Sequence, residues 1–221
     1  MPILPRLLAA LLCLPLAACQ SPGLGTIPTL HGSDGAGLPY SLPAPEQDFS
    51  HFESPPRLAG LAANGQISHP DGQGWRQWRY HGDGITLRVT LYGLPGGWQD
   101  LSPTRIVAGH YGQLRQARVD RVYHSRDQAI LFRQERLFDL EGRQTASAMF
   151  IINETGRTPL YETLLLTIED HHFIRLEAAS RQHQGRALQR RVKRALAEFR
   201  AAQRHEPTNP ATPSTAMGAG Q

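Results

Sequence analysis

Ile85-Thr86-Leu87-Arg88-Val89-Thr90-Leu91-Tyr92 decides the fold. Ile85, Leu87, Val89 and Leu91 alternate with Thr86, Arg88, Thr90 and Tyr92. A period of two marks a strand with one face buried. Upstream, Trp75 to His81 is rich in aromatic residues and arginine, and His81-Gly82-Asp83-Gly84 breaks it. The pair reads as a hairpin, which Leu94-Pro95-Gly96-Gly97 ends.

Working outward, Ser102-Pro103 sets an N-cap before a proline at the first helical position. Val107, Tyr111 and Leu114, with Ile106 beside them, trace one helical face, which predicts a helix from Pro103 to about Arg118. Arg115, Arg118 and Arg121 are expected on a solvated face. Strands follow over Ala129–Asp139, Thr145–Asn153, Tyr161–Ile168 and Phe173–Ala178, with turns at Leu140–Arg143 and Glu169–His172. Such short connections favour antiparallel pairing. Residues 181–204 predict a closing helix. Leu188, Val192, Ala195, Leu196 and Phe199 share one face at spacings of three and four, and Pro207 stops it. Before the first hairpin, Asn64-Gly65 reads as a tight turn of the primed type.

The expected fold is α+β: an antiparallel meander of about six strands with two packed helices. Hairpin, helix, meander and closing helix, in that order, resemble the layout of small PsbP-like domains. The Ile85–Tyr92 strand, the Pro103 helix and the Tyr161–Ala178 hairpin carry the resemblance over residues 75–204. It implies an accessory or binding role.

The amino end carries a different signal. Arg6 precedes the apolar run Leu7–Leu16, and the small residues Ala17 and Ala18 follow. The run is too short to cross a bilayer core roughly 30 Å thick as a helix, so residues 1–18 are expected to be a cleaved export signal. Leu16-Ala17-Ala18-Cys19 resembles the lipobox of bacterial lipoproteins. The resemblance implies a diacylglycerol group on Cys19, cleavage just before it, and acylation of the new amino end. Two or more acyl chains give stable attachment. Gln20 stands where an aspartate would favour inner-membrane retention. The family's sorting rule therefore points to the periplasmic face of the outer membrane.

Residues 20–56 are rich in Pro, Gly and Ser. They read as a flexible tether with a reach of roughly 30–37 Å. The expected organisation is a signal over 1–18, a lipidated end and tether over 19–56, one domain over 57–204 and a disordered tail over 205–221. With Cys13 lost and Cys19 acylated, the domain has no disulfide and must be held by packing.

The chain carries a formal charge of +4, from 23 basic and 19 acidic residues. Eight of the basic residues fall within 181–205, against the single acid Glu198. Arg190, Arg191 and Arg194 on this helix are candidate contacts to an anionic surface, while its apolar face is expected to dock on the sheet. Trp75 and Trp78, interleaved with Arg76 and Arg79, are candidate ligand contacts. Their spacing of three puts them on opposite faces of a strand, so one is expected in the core.

His171 and His172 beside Asp170, with His81 and Asp83 in another turn, would form a metal site only if the fold joined the two turns. They are expected to be solvated turn residues, with no metal and no cofactor. His124, Ser125 and Asp127 have the residue types of a triad without its spatial proof, and Glu169-Asp170 reads as a turn. HExxH, P-loop, GxGxxG, CxxC and GxSxG motifs are absent. Three functions are consistent with this sequence. One is a lipid-anchored envelope protein with a non-catalytic accessory or binding domain and an envelope partner. The second is a small envelope hydrolase using histidines and carboxylates. The third is anionic-surface binding through the basic helix. Export argues against nucleic acid.

Overall fold

The computed structural model describes residues 48–68 and 74–204. The expected export signal, Cys19 and the expected tail over 205–221 lie outside the described residues, as does most of the 19–56 stretch expected to be a tether. The elements are β1 (Arg57–Leu58), β2 (Leu61–Ser68), β3 (Trp75–Gly82), β4 (Ile85–Gly93), α1 (Pro103–Tyr123), β5 (Gln128–Leu140), β6 (Arg143–Glu154), β7 (Leu160–Glu169), β8 (His172–Ser180) and α2 (Gly185–Arg204). The strands form one open antiparallel sheet in the order β1-β2-β3-β4-β8-β7-β6-β5. The class is the expected one, but the sheet has eight strands rather than about six.

The two extra strands are β1 and β2. The Asn64-Gly65 pair is no hairpin turn. It sits inside β2, where the register against β3 shifts between Ala63 and Gln66. Gly65 takes a φ of 102° there, which a glycine adopts without strain.

Four hairpins close on two residues with left-handed φ: Ala59-Gly60, Asp83-Gly84, Glu141-Gly142 and Asp170-His171. Positive φ at both central positions matches the right-handed twist of the strands. The last of these is tighter than the four-residue turn expected from sequence, so His172 falls inside β8.

One helix covers each sheet face. Strand alternation sends Leu87, Val89, Leu165, Leu176 and Ala178 to one side, where Leu188, Val192, Ala195, Leu196 and Phe199 of α2 meet them. Trp78 packs against Phe199 with the rings tilted, 5.4 Å between centroids. The other side presents Ala146, Ala148, Phe150, Leu164, Leu166 and Phe173 to Ile106, Val107 and Leu114 of α1. Each large aliphatic side chain so buried contributes roughly 1.5–3 kcal/mol. With no disulfide available, this packing stabilises the domain.

α1 runs to Tyr123, beyond the expected end near Arg118. Ser102 holds the N-cap position without a side-chain cap bond, and the first turn closes through Ile106 N–H to the Ser102 carbonyl at 3.0 Å. Residues 48–56, assigned to the tether from sequence, pack on the domain. Phe49 is buried in the α2-side core. The Arg76 guanidinium donates to the carbonyls of Phe49, Ser50 and Phe52 at 2.8, 2.9 and 2.8 Å.

At the far rim, β5 is an edge strand. Its register against β6 shifts between Arg133 and Arg136, and Gln134 has a φ of 52°. Tyr111 and Arg115 of α1 both bond to Glu135 in this bulge.

Candidate functional site

Antiparallel register lays the α1-side residues out in rows across the sheet. One row runs Arg79, Arg88, Glu177, Leu164, Ala148. The next runs His81, Thr86, Ala179, Glu162, Phe150. Another runs Gln77, Thr90, Arg175, Leu166, Ala146. Each row starts polar on β3 and β4 and ends apolar on β6. α1 covers the apolar half. The polar half is left as a concave surface with a cavity of about 360 Å³, lined by Arg79, Thr86, Arg88, Glu162, Glu177 and Ala179.

A charge cluster stands where the two halves meet. Arg118 projects from α1 and is 6 % exposed. It donates to Glu177, and its Nε lies 3.7 Å from Glu162. Arg175 Nε approaches Glu177 at 3.4 Å and Arg88 Nε at 3.8 Å. Burial by itself raises the Glu177 pKa. The guanidiniums of Arg175, Arg118 and Arg88 outweigh it and hold the carboxyl well below its usual range. Arg118 was expected on a solvated face, and its burial corrects that. It extends the stripe of Val107, His110, Leu114 and Val122, so the helical spacing was readable. Its two carboxylate partners, far away in sequence, were not.

Beside the cluster lies a second buried polar group. Tyr92 Oη and His110 Nε2 are 2.6 Å apart, and His110 Nδ1 is 3.0 Å from Gln113 Oε1. The His110 ring also lies against Phe173, 4.4 Å between centroids. Burial pushes the His110 pKa down to about 3, against an upward contribution from Gln113. Burial raises the Tyr92 pKa. The pair is therefore a neutral imidazole bonded to a neutral phenol. Neither residue was singled out from sequence.

The residues named from sequence are dispersed. Trp78 is core, 1 % exposed, with its Nε1 donating to Gln66 Oε1 at 3.2 Å. It is out of reach of a ligand, which corrects its candidacy. Trp75 is half-buried on the opposite face against the α1-side core. His172 corrects the expectation of a solvated turn residue. It is 6 % exposed, wedged against the rings of Phe49 and Phe52, and burial lowers its pKa.

The turn holding His81 and Asp83 lies at the opposite end of the β4–β8 ladder from His172, since His172 pairs with Gly93 and Ala179 with Thr86. Asp83 instead meets Arg191 at 3.1 Å and His183 at 3.4 Å. Among the described residues, no group of three or more His, Cys, Asp or Glu side chains converges as metal ligands. His124 Nδ1 bonds the Asp120 carbonyl, while Ser125 donates to Asp127.

On α2 the basic residues divide by role. Arg191 is engaged with Ala59 O and Asp83, Arg194 with Glu198, and Arg200 with Glu169 and Glu141. Arg190 is exposed. Among the described residues, no helix is long and apolar enough to cross a membrane.

The fixed charges of the concave face suit it to hold and orient a ligand. At neutral pH Glu177 keeps no proton to give.

No family model matches the chain, and no curated protein does. Among solved structures, the cyanobacterial PsbP protein CyanoP from Synechocystis sp. PCC 6803 is similar at 10 % identity and a TM-score of 0.41, over 60 % of this chain and 89 % of that one. A Pseudomonas aeruginosa protein of unknown function, PA94, is similar at 9 % identity and a TM-score of 0.33, over 61 % of this chain and 83 % of that one.

Proposed function

We propose that this chain is a lipid-anchored envelope protein whose single α+β domain binds a ligand or partner without catalysing a reaction on it. The anchor rests on Leu16-Ala17-Ala18-Cys19 after a short apolar run. Acylation of Cys19 would hold the domain at the periplasmic face of the outer membrane, within reach of envelope partners. The observation that carries the binding role is the concave α1-side face. Its central carboxylate, Glu177, is locked as an anion among Arg88, Arg118 and Arg175. A carboxylate held this way organises charge and does not shuttle protons at neutral pH.

Fractionating cells that express Cys19→Ser tests the anchor. The variant is expected in the soluble fraction and the parent chain in the membrane pellet, both in high salt. Retention of the variant in the salt-washed pellet would overturn the lipid anchor. Crosslinking in cells, followed by identification of what is captured with the parent chain and lost with a variant of the concave face, tests the binding role.

A further inference from the structure

We infer that the outer face of α2 rests on an anionic phospholipid surface and so turns the concave face away from it. The inference goes beyond the binding role proposed above and uses the proposed anchor only to bring the domain within reach of lipid.

The inner face of α2 is spent on the core. Leu188, Val192, Ala195, Leu196 and Phe199 are at most 1 % exposed. Arg186, Arg190 and Lys193 follow one another at spacings of four and three on the opposite side, and all three are exposed. Ala197 and Ala201 continue that stripe, also exposed. Their small side chains let the helix lie close to a flat partner.

The fold separates committed cations from available ones. Asp83, Glu141 and Glu198 beside α2 are taken up by Arg191, Arg200 and Arg194. Among the described residues no carboxylate lies within ion-pair distance of Arg186, Arg190 or Lys193. Lys193 lies over the Phe138 ring, 5.1 Å from its centroid.

A second observation says what this stripe meets. Phe49 is buried in the α2-side core. The Glu53 N–H donates to Gln203 Oε1 at 3.1 Å, and Gln203 Nε2 donates to the Glu53 carbonyl at 2.9 Å. The chain that leads back to Cys19 therefore enters the domain on the α2 side. The basic stripe and the route to the proposed anchor share one side of the sheet, while α1 and the concave face occupy the other.

The apolar residues of α2 are already in the core, so none is left to insert into lipid. The attraction is electrostatic, and salt reverses it. Each basic residue brought to an anionic leaflet strengthens binding about fivefold. Three such residues hold a free domain weakly, but a tethered one meets the surface at high effective concentration.

The probe is a vesicle of equal parts phosphatidylcholine and phosphatidylglycerol, with phosphatidylcholine alone as the reference. The purified whole chain carries Cys19→Ser, so no anchor contributes. At low ionic strength, sedimentation should find more protein on the mixed vesicles than on the reference, and salt should remove the excess. Arg186→Gln with Arg190→Gln should weaken binding to the mixed vesicles about twenty-five-fold. Arg105→Gln with Arg121→Gln, an equal loss of charge at exposed positions of α1, should leave it nearly unchanged. Ala197→Lys, a cation added to the stripe, should strengthen it about fivefold.

Lys193 is the sole lysine of the chain, so a water-soluble amine-acylating reagent reports on the stripe itself. Peptide mass spectrometry separates it from the amino terminus. Mixed vesicles should slow its acylation, and salt should restore the rate. Equal binding to both vesicles, equal losses in the α1 and α2 double variants, or a Lys193 rate that bound vesicles do not change would each overturn the inference. None of these readouts uses the anchor or the concave face. Their failure leaves the Cys19→Ser fractionation standing, and failure of the anchor leaves them standing.

Discussion

Replacing Glu177 by glutamine should unfasten α1 from the sheet more than any other single isosteric change on that face. The carboxylate receives Arg118 from the helix, Arg175 from its own strand and Arg88 from the neighbouring one. Its side chain is 12 % exposed, so solvent does little to screen the three cations it balances. Removing one partner of a buried pair costs roughly 3–5 kcal/mol because the other charge stays buried. The residual exposure favours the lower figure, about 3 kcal/mol, which for a domain of this size lowers Tm by roughly 6–12 °C.

The pH dependence gives a second readout. The folded pKa of Glu177 lies below the ordinary 4.5, so its stabilisation is fully present above that pH and fades as the pH falls. The gap between parent and variant should therefore be widest near pH 7 and shrink below about pH 4.5. Thermal or urea denaturation between pH 7 and 3 measures both. A loss under about 1 kcal/mol at pH 7, or a gap that does not change with pH, would refute the view of Glu177 as the keystone of this face.

Two further outcomes follow from buried polar groups. His110 is neutral in the fold, with a pKa lowered from 6.5 to about 3. Its stabilisation is complete above pH 6.5 and falls by about 1.4 kcal/mol for each unit below that. His110→Gln should flatten the decline between pH 6.5 and 5, as read by urea denaturation. Arg76→Ala should release residues 49–52 without unfolding the sheet. Hydrogen exchange and proteolysis at Phe49 and Phe52 should accelerate while protection of β7 and β8 is kept.

The central sheet was legible because its strands and turns signal locally. Alternation in Ile85–Tyr92 and the spacing of Leu188, Val192 and Phe199 predict the faces on which these residues are buried. β2 was not legible, because its Asn-Gly pair imitates a turn and only pairing with β3 shows that it forms a bulge. The site was less legible still. Arg79, Arg88 and Glu177 are adjacent only through register, and Arg118 reaches acids on β7 and β8 that helical periodicity cannot announce. His172 was misplaced because β8 begins one residue earlier than expected, enough to move a side chain from water into the core.

An open sheet has two rims, and each invites a stranger's strand. Here β1 is only two residues long, too short to template a partner. β5 is long, but the kink at Gln134 splits it into Gln128–Arg133 and Arg136–Leu140, with an arginine at each broken end. No neighbouring chain can zip along its whole length, and two copies brought edge to edge would meet like charge at the break. Copies held together on one surface by the proposed anchor would thereby be guarded against amyloid-style stacking.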